Sequence, residues 1–404
     1  MYGMKSGILV RNISLVSLRR RWLALALLFG LVLWCGYQLL RAEWDPVFAW
    51  HWAVVAACVL VYQLSHLWRG LNDNHRPGEA TLLPTLGAGN VLTMLRGLAL
   101  GLLAGFLFSP WPPGRLAWLP ALLYTVSILA DYLDGYLARV THHATLLGEN
   151  LDIEFDALGI LIATSLAVNY NQLPWWYLPL GLSRYLFLFG IWWRKRRGRP
   201  VYDLPPSTHR RIVAGFQMGF TSVILWPIVY PPGTTLAGVA FAIPFTASFI
   251  RDWLVVSGRI DPASRSYLEI RRVITVVFTR WLPVFLRIGV VLLMIWVVFH
   301  VLWTRSDPAA LVAWPGLPSP RFAGLAISLV ALGATVMLAL GGAGRLAALG
   351  LLVAASANIL ASELYLYNGF LLVSAIALML LGSGTFSCWR PEDAILSRRA
   401  GDKV

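Results

Sequence analysis

Residues 131–157 read DYLDGYLARVTHHATLLGENLDIEFDA, and they join the end of one long apolar run to the start of the next. Asp131, Asp134, Gly135 and Ala138 recur at i, i+3, i+4 and i+7, which places them on one face of a helix; Asp152 and Asp156, at i and i+4, share a face of the following one. Two carboxylates on each of two facing helices make a four-carboxylate cage. Hard divalent cations prefer such oxygen donors, and a pair of them can neutralise a diphosphate while activating both ends of a displacement. Gly135 and Ala138 are small where a ligand has to approach the helix, and Arg139, on the flank of that face, carries the planar fork that grips phosphate. The blander alternative is that the aspartates cap helices or sit in solvated loops. Against it, a carboxylate costs about 2.5–3.5 kcal/mol at the centre of a spanning helix, and four co-directed ones repel one another unless cations lie between them. His142 and His143 in the connecting loop are read as solvated, because the carboxylates already supply hard donors.

Outward from this stretch the chain is a membrane protein by composition. Of 404 residues 58% are apolar and 13% charged, and the mean hydropathy is +0.67, far beyond soluble usage. Twelve apolar runs are long enough to span, near 22–40, 48–68, 90–108, 115–135, 151–168, 174–193, 212–230, 235–255, 281–303, 322–341, 346–363 and 367–384. The expected fold class is therefore an all-α polytopic membrane protein of about twelve transmembrane helices. The first run follows Arg19, Arg20 and Arg21 and lacks a small-residue cleavage site, which reads as a retained signal anchor with a cytoplasmic N-terminus. With that orientation about 26 Lys and Arg fall on inner segments and about four on outer ones. The net charge of +14 is thus assigned to loops against anionic headgroups and not to nucleic acid. Cys35, Cys58 and Cys388 lie far apart and signal neither a disulfide framework nor a thiolate site.

The spacing Asp131, Asp134, Gly135, Ala138, Arg139, Gly148, Asp152, Asp156 matches every fixed position of D-x2-D-G-x2-A-R-x8-G-x3-D-x3-D and so resembles the CDP-alcohol phosphotransferase signature. Just upstream, GNVLTMLRG, with Asn90, Thr93 and Arg96, is similar to that family's first core helix, P-N-x-L-T-x-x-R, with Gly89 in place of the proline. The resemblance covers residues from about 84 to 257. It implies a six-helix core around a polar cavity open to the cytoplasm, where a CDP-linked alcohol, usually CDP-diacylglycerol, reacts with a small alcohol acceptor and releases CMP. It further implies two divalent cations, Mg²⁺ or alternatively Mn²⁺, on Asp131, Asp134, Asp152 and Asp156, with Asp156 also the general base. The nucleotide would be held by Asn90, Thr93, Asp134, Gly135, Ala138, Arg139 and Gly148, although Asn90 equally suits a helix N-cap.

The punctuation of the chain gives three expected parts: a two-helix leader at 1–82, the six-helix core at 83–257, and a basic linker with a four-helix module at 258–404. The segment GRIDPASRSYLEIRR opening the third part suits either an amphipathic surface helix or a solvated linker. The close of the chain, LLGSGTFSCWRPEDA, faintly resembles small four-helix membrane proteins of the DoxX type. For the acceptor, Arg184 within an apolar run, with Arg211 after it, favours a phosphorylated polyol; the plainer reading pairs Arg184 with a core carboxylate. Membrane lipids are expected partners, a homodimer is compatible with the sequence, and the setting is a bacterial or archaeal cell membrane with the site and both termini cytoplasmic. A second function class is a secondary transporter or a lipid-handling protein with a bound metal. Transporters of that kind show two related halves, whereas these carboxylates cluster in one third of the chain near one face.

Overall fold

Each of the twelve apolar runs carries a helix in the computed structural model, which describes residues 2–79, 81–204, 208–304 and 320–389, with side chains over 12–79, 81–204, 212–299 and 324–389. In chain order these are α1 (Tyr2–Glu43), α2 (Pro46–Gly70), α3 (Gly87–Ala104), α4 (Leu119–Val140), α5 (Leu146–Asn169), the short α6 (Leu178–Gly181), α7 (Ser183–Arg196), α8 (Thr208–Ile224), α9 (Gly233–Val256), α10 (Arg265–Val276), α11 (Leu282–Thr304), α12 (Pro320–Leu340), α13 (Gly344–Ala361) and α14 (Leu366–Leu381). No β-strand occurs among the described residues. Seven described segments are long and apolar enough to cross a membrane, and the protein is an all-α polytopic membrane protein. α5 has the length, at 24 residues, but carries Glu149, Asp152, Glu154 and Asp156 in its first half. Those carboxylates lower its hydropathy, and two of them, Asp152 and Asp156, lie in one acidic group with Asp131.

Local chemistry sets the helix starts. Asp45 accepts from the Val47 N–H at 2.8 Å with Pro46 in the first turn of α2, and Thr145 caps α5 by accepting from the Gly148 N–H at 3.1 Å. Gly87 opens α3 at φ +77°, with the His143 ring lying where its Cβ would stand. The segment expected at 174–193 is interrupted: α6 ends at Gly181, and α7 begins at Ser183 with Arg184 in its first turn.

The described residues of Met1–Tyr185 and Met218–Ile228 form one compact unit, and those of Leu186–Gln217 and Val229–Val404 form another. In the first, α3 is the central helix, and its glycines let three neighbours come close. A Cβ on Gly89 would lie 2.9 Å from Ala138 Cβ on α4, one on Gly97 would lie 2.6 Å from Phe155 Cε2 on α5, and the Leu60 side chain of α2 fills the space over Gly101. α4 shows how such a helix sits in lipid. Leu122, Val126, Leu129, Leu133 and Tyr136 form an exposed apolar stripe, while Tyr124, Ser127, Ala130 and Asp134 on the other side are buried.

In the second unit α11 to α14 pack as a four-helix group, and α9 packs on α14 and α13. Tyr230 Oη donates to Leu360 O at 2.8 Å, and buried Asn368 donates to Asn358 Oδ1 at 2.9 Å. α10 is a helix capped by Ser264, which runs through a π turn at Val277–Trp281 into α11.

Candidate metal and phosphate centre

α3, α4 and α5 bring the signature carboxylates around one guanidinium. Arg96, only 2% exposed and the largest fully buried side chain, projects from α3 and pairs through Nη1 with Asp131. The same nitrogen stands 3.3 Å from Asp156 Oδ1 and 3.9 Å from Asp134 Oδ2, and Nη2 stands 3.1 Å from Asp152 Oδ1. Nη2 also donates to the backbone oxygen of Asp152 at 3.2 Å. Asp131, Asp152 and Asp156 each offer an oxygen within 4.8 Å of the others. Asp134 is turned differently: it is buried, and Thr93 Oγ1 donates to its Oδ2 at 2.8 Å while lying 3.1 Å from Gly89 O.

This cluster fits hard divalent cations. Its donors are all carboxylate oxygens, the set that Mg²⁺ and Mn²⁺ prefer. Asp152 Oδ1 and Asp156 Oδ1 are buried and have no hydrogen-bond partner among the described residues, because Arg96 reaches ion-pair distance without hydrogen-bond geometry. Buried oxygens of that kind are costly unless something else meets them. Four carboxylates against one guanidinium leave the cluster with three negative charges. Two divalent cations would reverse the sign and leave one net positive charge to face a diphosphate.

The remaining sequence-derived residues divide by environment. The exposed Arg139 folds back over Gly135, with Nη1 3.3 Å from where a Cβ of Gly135 would stand, at the same end of α4 as Asp134. Ala138 faces Gly89, so its smallness serves the contact between α3 and α4. Asn90 is buried, donates to Thr145 Oγ1 at 3.0 Å and to Asn74 Oδ1 at 3.4 Å, and its amide fills the space over Gly148. Asn90 and Gly148 thus lock the N-terminus of α5 to α3, directly before the turn that carries Asp152. Arg184 is half-buried, and its Nε has no hydrogen-bond partner among the described residues. The side chain of Arg211 lies outside the described residues. His143 is held at 2.9 Å by Thr85 O, and neither it nor His142 joins the carboxylate group.

Sequence reasoning gave Arg96 no charge-balancing role. The signal was available, since an arginine inside the apolar run 90–108 needs partners in the same way that Arg184 does. Asn74, fully buried and donating to Leu83 O at 3.0 Å and Thr85 O at 2.8 Å, lies in a polar loop where nothing in the sequence distinguishes it.

The match to a known family falls on the stretch of chain that carries this site. Residues 87–250 match the family model described as CDP-alcohol phosphatidyltransferase, and this stretch, which begins with the first residue of α3, is a domain of that family. Among curated proteins the chain is similar to the CDP-diacylglycerol--glycerol-3-phosphate 3-phosphatidyltransferase of Cereibacter sphaeroides, with 34% identity over 108 residues that make up 25% of this chain and 47% of that protein. It is also similar to a Mycobacterium tuberculosis protein described as "Putative cardiolipin synthase", with 28% identity over 149 residues, 35% of this chain and 69% of that one. The chain thus spans about half the length of the first of these relatives. No solved structure matches it.

Proposed function

We propose that the protein is a membrane phosphotransferase of phospholipid biosynthesis, moving a substituted phosphate from a CDP-alcohol, CDP-diacylglycerol in the first instance, to an acceptor hydroxyl with release of CMP. The observation that carries this reading is the convergence of Asp131, Asp152 and Asp156 within 4.8 Å inside the family-matched stretch. Asp131, Asp134, Asp152 and Asp156 would hold two divalent cations. When bound, these supply charge neutralisation on the diphosphate and on departing CMP.

The chain's own residues do the rest. Asp156 takes the proton of the acceptor hydroxyl as that oxygen bonds to the lipid-bearing phosphorus and the bond from phosphorus to the CMP oxygen breaks. Thr93 holds the Asp134 carboxylate in one orientation. Arg139, exposed beside Gly135, takes the nucleotide phosphate, and Asn90, Ala138 and Gly148 keep the helices of the nucleotide site in register. Arg96 balances the carboxylates between turnovers.

The acceptor is a phosphorylated polyol on this reading. Arg184, with a buried and unpartnered Nε, suits an anion at the site, and the Cereibacter relative's name specifies glycerol 3-phosphate. Residues 83–257 form the catalytic core, flanked by the leader and the C-terminal module, and the site opens to the cytoplasm, where the basic loops lie. A transporter reading gains nothing from carboxylates that cluster on α4 and α5 of one unit.

CMP release should be measured with CDP-diacylglycerol, Mg²⁺ and, in turn, glycerol 3-phosphate, inositol phosphate, free inositol and serine. Glycerol 3-phosphate or inositol phosphate should be preferred, and Arg184→Ala should raise the acceptor KM or lower kcat/KM while leaving donor affinity nearly unchanged. Use of only uncharged or zwitterionic alcohols would sink the acceptor assignment.

A further inference from the structure

α10 has two kinds of surface, and among the described residues almost no protein lies on either: every residue of the helix except Tyr267 and Val276 is exposed. Ile270, Val273 and Ile274, continued by Val277, recur at i, i+3, i+4 and i+7 and make an apolar face, each between 46% and 62% exposed. Arg265, Glu269 and Arg272 recur at i, i+4 and i+7 on another face, with Arg271 at its edge and Leu268 among them. α11 by itself has 23 residues, about 35 Å of helix and enough to cross a hydrocarbon core of roughly 30 Å. The 12 residues of α10 fall beyond that crossing. The π turn between the two helices, which ends at exposed Trp281, is the kind of irregularity at which a helix changes course.

The surroundings of α10 are basic. Tyr267 Oη accepts from Arg251 Nε at 2.9 Å, which ties the first turn of α10 to the last turns of α9. The segment that follows α7 meets the same end of α9, where Arg194 Nη2 donates to Ser257 O at 3.0 Å and the Tyr202 N–H to Val256 O at 3.1 Å. Beside it Arg196 and Arg197 stack on the exposed Trp192 and Trp193, at 4.7 and 4.4 Å from the ring centres, a pairing of charge and indole suited to the headgroup level of a bilayer. The acids of these segments, Asp203, Asp261 and Glu269, are outnumbered by the basic residues of 194–199 and of α10. Exposed aliphatic side chains are costly in water and arginines are costly in hydrocarbon, and the membrane interface meets both demands.

We propose that α10 lies in the membrane surface with Ile270, Val273, Ile274 and Val277 among acyl chains, and that its arginines, with the basic end of α7, gather anionic phospholipid from the surrounding leaflet. Basic residues at a membrane surface attract anionic lipid, and salt screens the attraction. The signature carboxylates take no part in this, so the arrangement is readable without turnover.

Nitroxides placed one at a time on the full chain, with Cys35, Cys58 and Cys388 replaced by serine, test the placement in nanodiscs of phosphatidylcholine and phosphatidylglycerol. Collisions with oxygen, which concentrates in lipid, should be most frequent at Ile270→Cys, Val273→Cys and Ile274→Cys, and collisions with a water-soluble nickel chelate at Glu269→Cys and Arg272→Cys. High oxygen access at all five would make α10 part of a spanning helix, high nickel access at all five a solvated linker, and low access to both a surface covered by protein; each would overturn the proposal. The lipid is read by a fluorophore at Val273→Cys in phosphatidylcholine nanodiscs, quenched by trace phosphatidylglycerol or phosphatidylcholine spin-labelled high on one acyl chain. Phosphatidylglycerol should quench at least about twofold more per molecule, and high salt or Arg265→Gln/Arg271→Gln/Arg272→Gln should bring the ratio toward one. Because the ratio compares two lipids at one site, a change of depth leaves it unmoved. Equal quenching by the two lipids in the parent, or an excess that the triple variant keeps in full, would overturn the assignment of anionic lipid to α10.

Discussion

Arg96 Nη2 stands 3.1 Å from Asp152 Oδ1, on a side chain only 1% exposed. One buried cation therefore compensates carboxylates from two other helices, and its removal leaves them facing each other. Arg96→Gln should lose about 1–3 kcal/mol of stability without divalent cations, less than a fully buried pair would lose because Asp152 and Asp156 are 47% and 41% exposed. Mg²⁺ should then raise its melting temperature more than it raises the parent's. Melting curves with chelator and with Mg²⁺ check this, and an equal Mg²⁺ effect in both proteins would separate Arg96 from the metal centre.

Thr93 fixes Asp134 through a 2.8 Å hydrogen bond in a buried setting. Thr93→Val keeps the shape and removes the donor, at a cost of about 1–3 kcal/mol, whereas Thr93→Ser keeps it. The valine variant should melt a few degrees lower and show a higher KM for the CDP-alcohol, and the serine variant should resemble the parent. Two variants with the same KM would show that the orientation of Asp134 is immaterial.

The signature face was legible because helical spacing places Asp131 with Asp134, and Asp152 with Asp156, whatever the tertiary packing. Five of the 33 basic residues fall within the bounds of apolar runs, Arg96, Arg115, Arg184, Arg251 and Arg287. Two of these prove to be buried hubs, Arg96 among carboxylates and Arg287 among helix-end carbonyls. What sequence could not supply was the partner, since it depends on which helix faces which. For the same reason Ala138 read as room for a ligand, whereas the structure places Gly89 against it. The break between α6 and α7 was hidden because apolar residues continue on both sides of it.

Gly97 has Phe155 where its side chain would be, at 2.6 Å, one residue along α3 from Arg96 and one before Asp156 on α5. Gly97→Ala should cost about 1–3 kcal/mol by overpacking and lower turnover by shifting α5. Phe155→Leu in the same chain should restore part of both. Melting and CMP-release measurements on the two single variants and the double variant give the coupling, and strictly additive effects would contradict this contact.

In the orientation proposed from the distribution of Lys and Arg, the basic stretch Arg194–Arg199 would be cytoplasmic and the turn at Trp175, which is 77% exposed, would lie outside. With Cys35, Cys58 and Cys388 replaced by serine, an impermeant thiol reagent on intact cells should label Trp175→Cys and spare Lys195→Cys. The opposite pattern would invert the topology and place the carboxylate site on the outer face.

The metal-assisted transfer assigned to Asp131, Asp134, Asp152 and Asp156 is tested most directly by CMP release from CDP-diacylglycerol, with the purified full-length protein in nanodiscs titrated with Mg²⁺. Release by the parent should rise with Mg²⁺ and vanish on chelation, and Asp156→Asn should fall by a factor on the order of a hundred or more at saturating Mg²⁺ while still binding donor. Parent-like release by Asp156→Asn, or release by the parent that chelation leaves untouched, would contradict it.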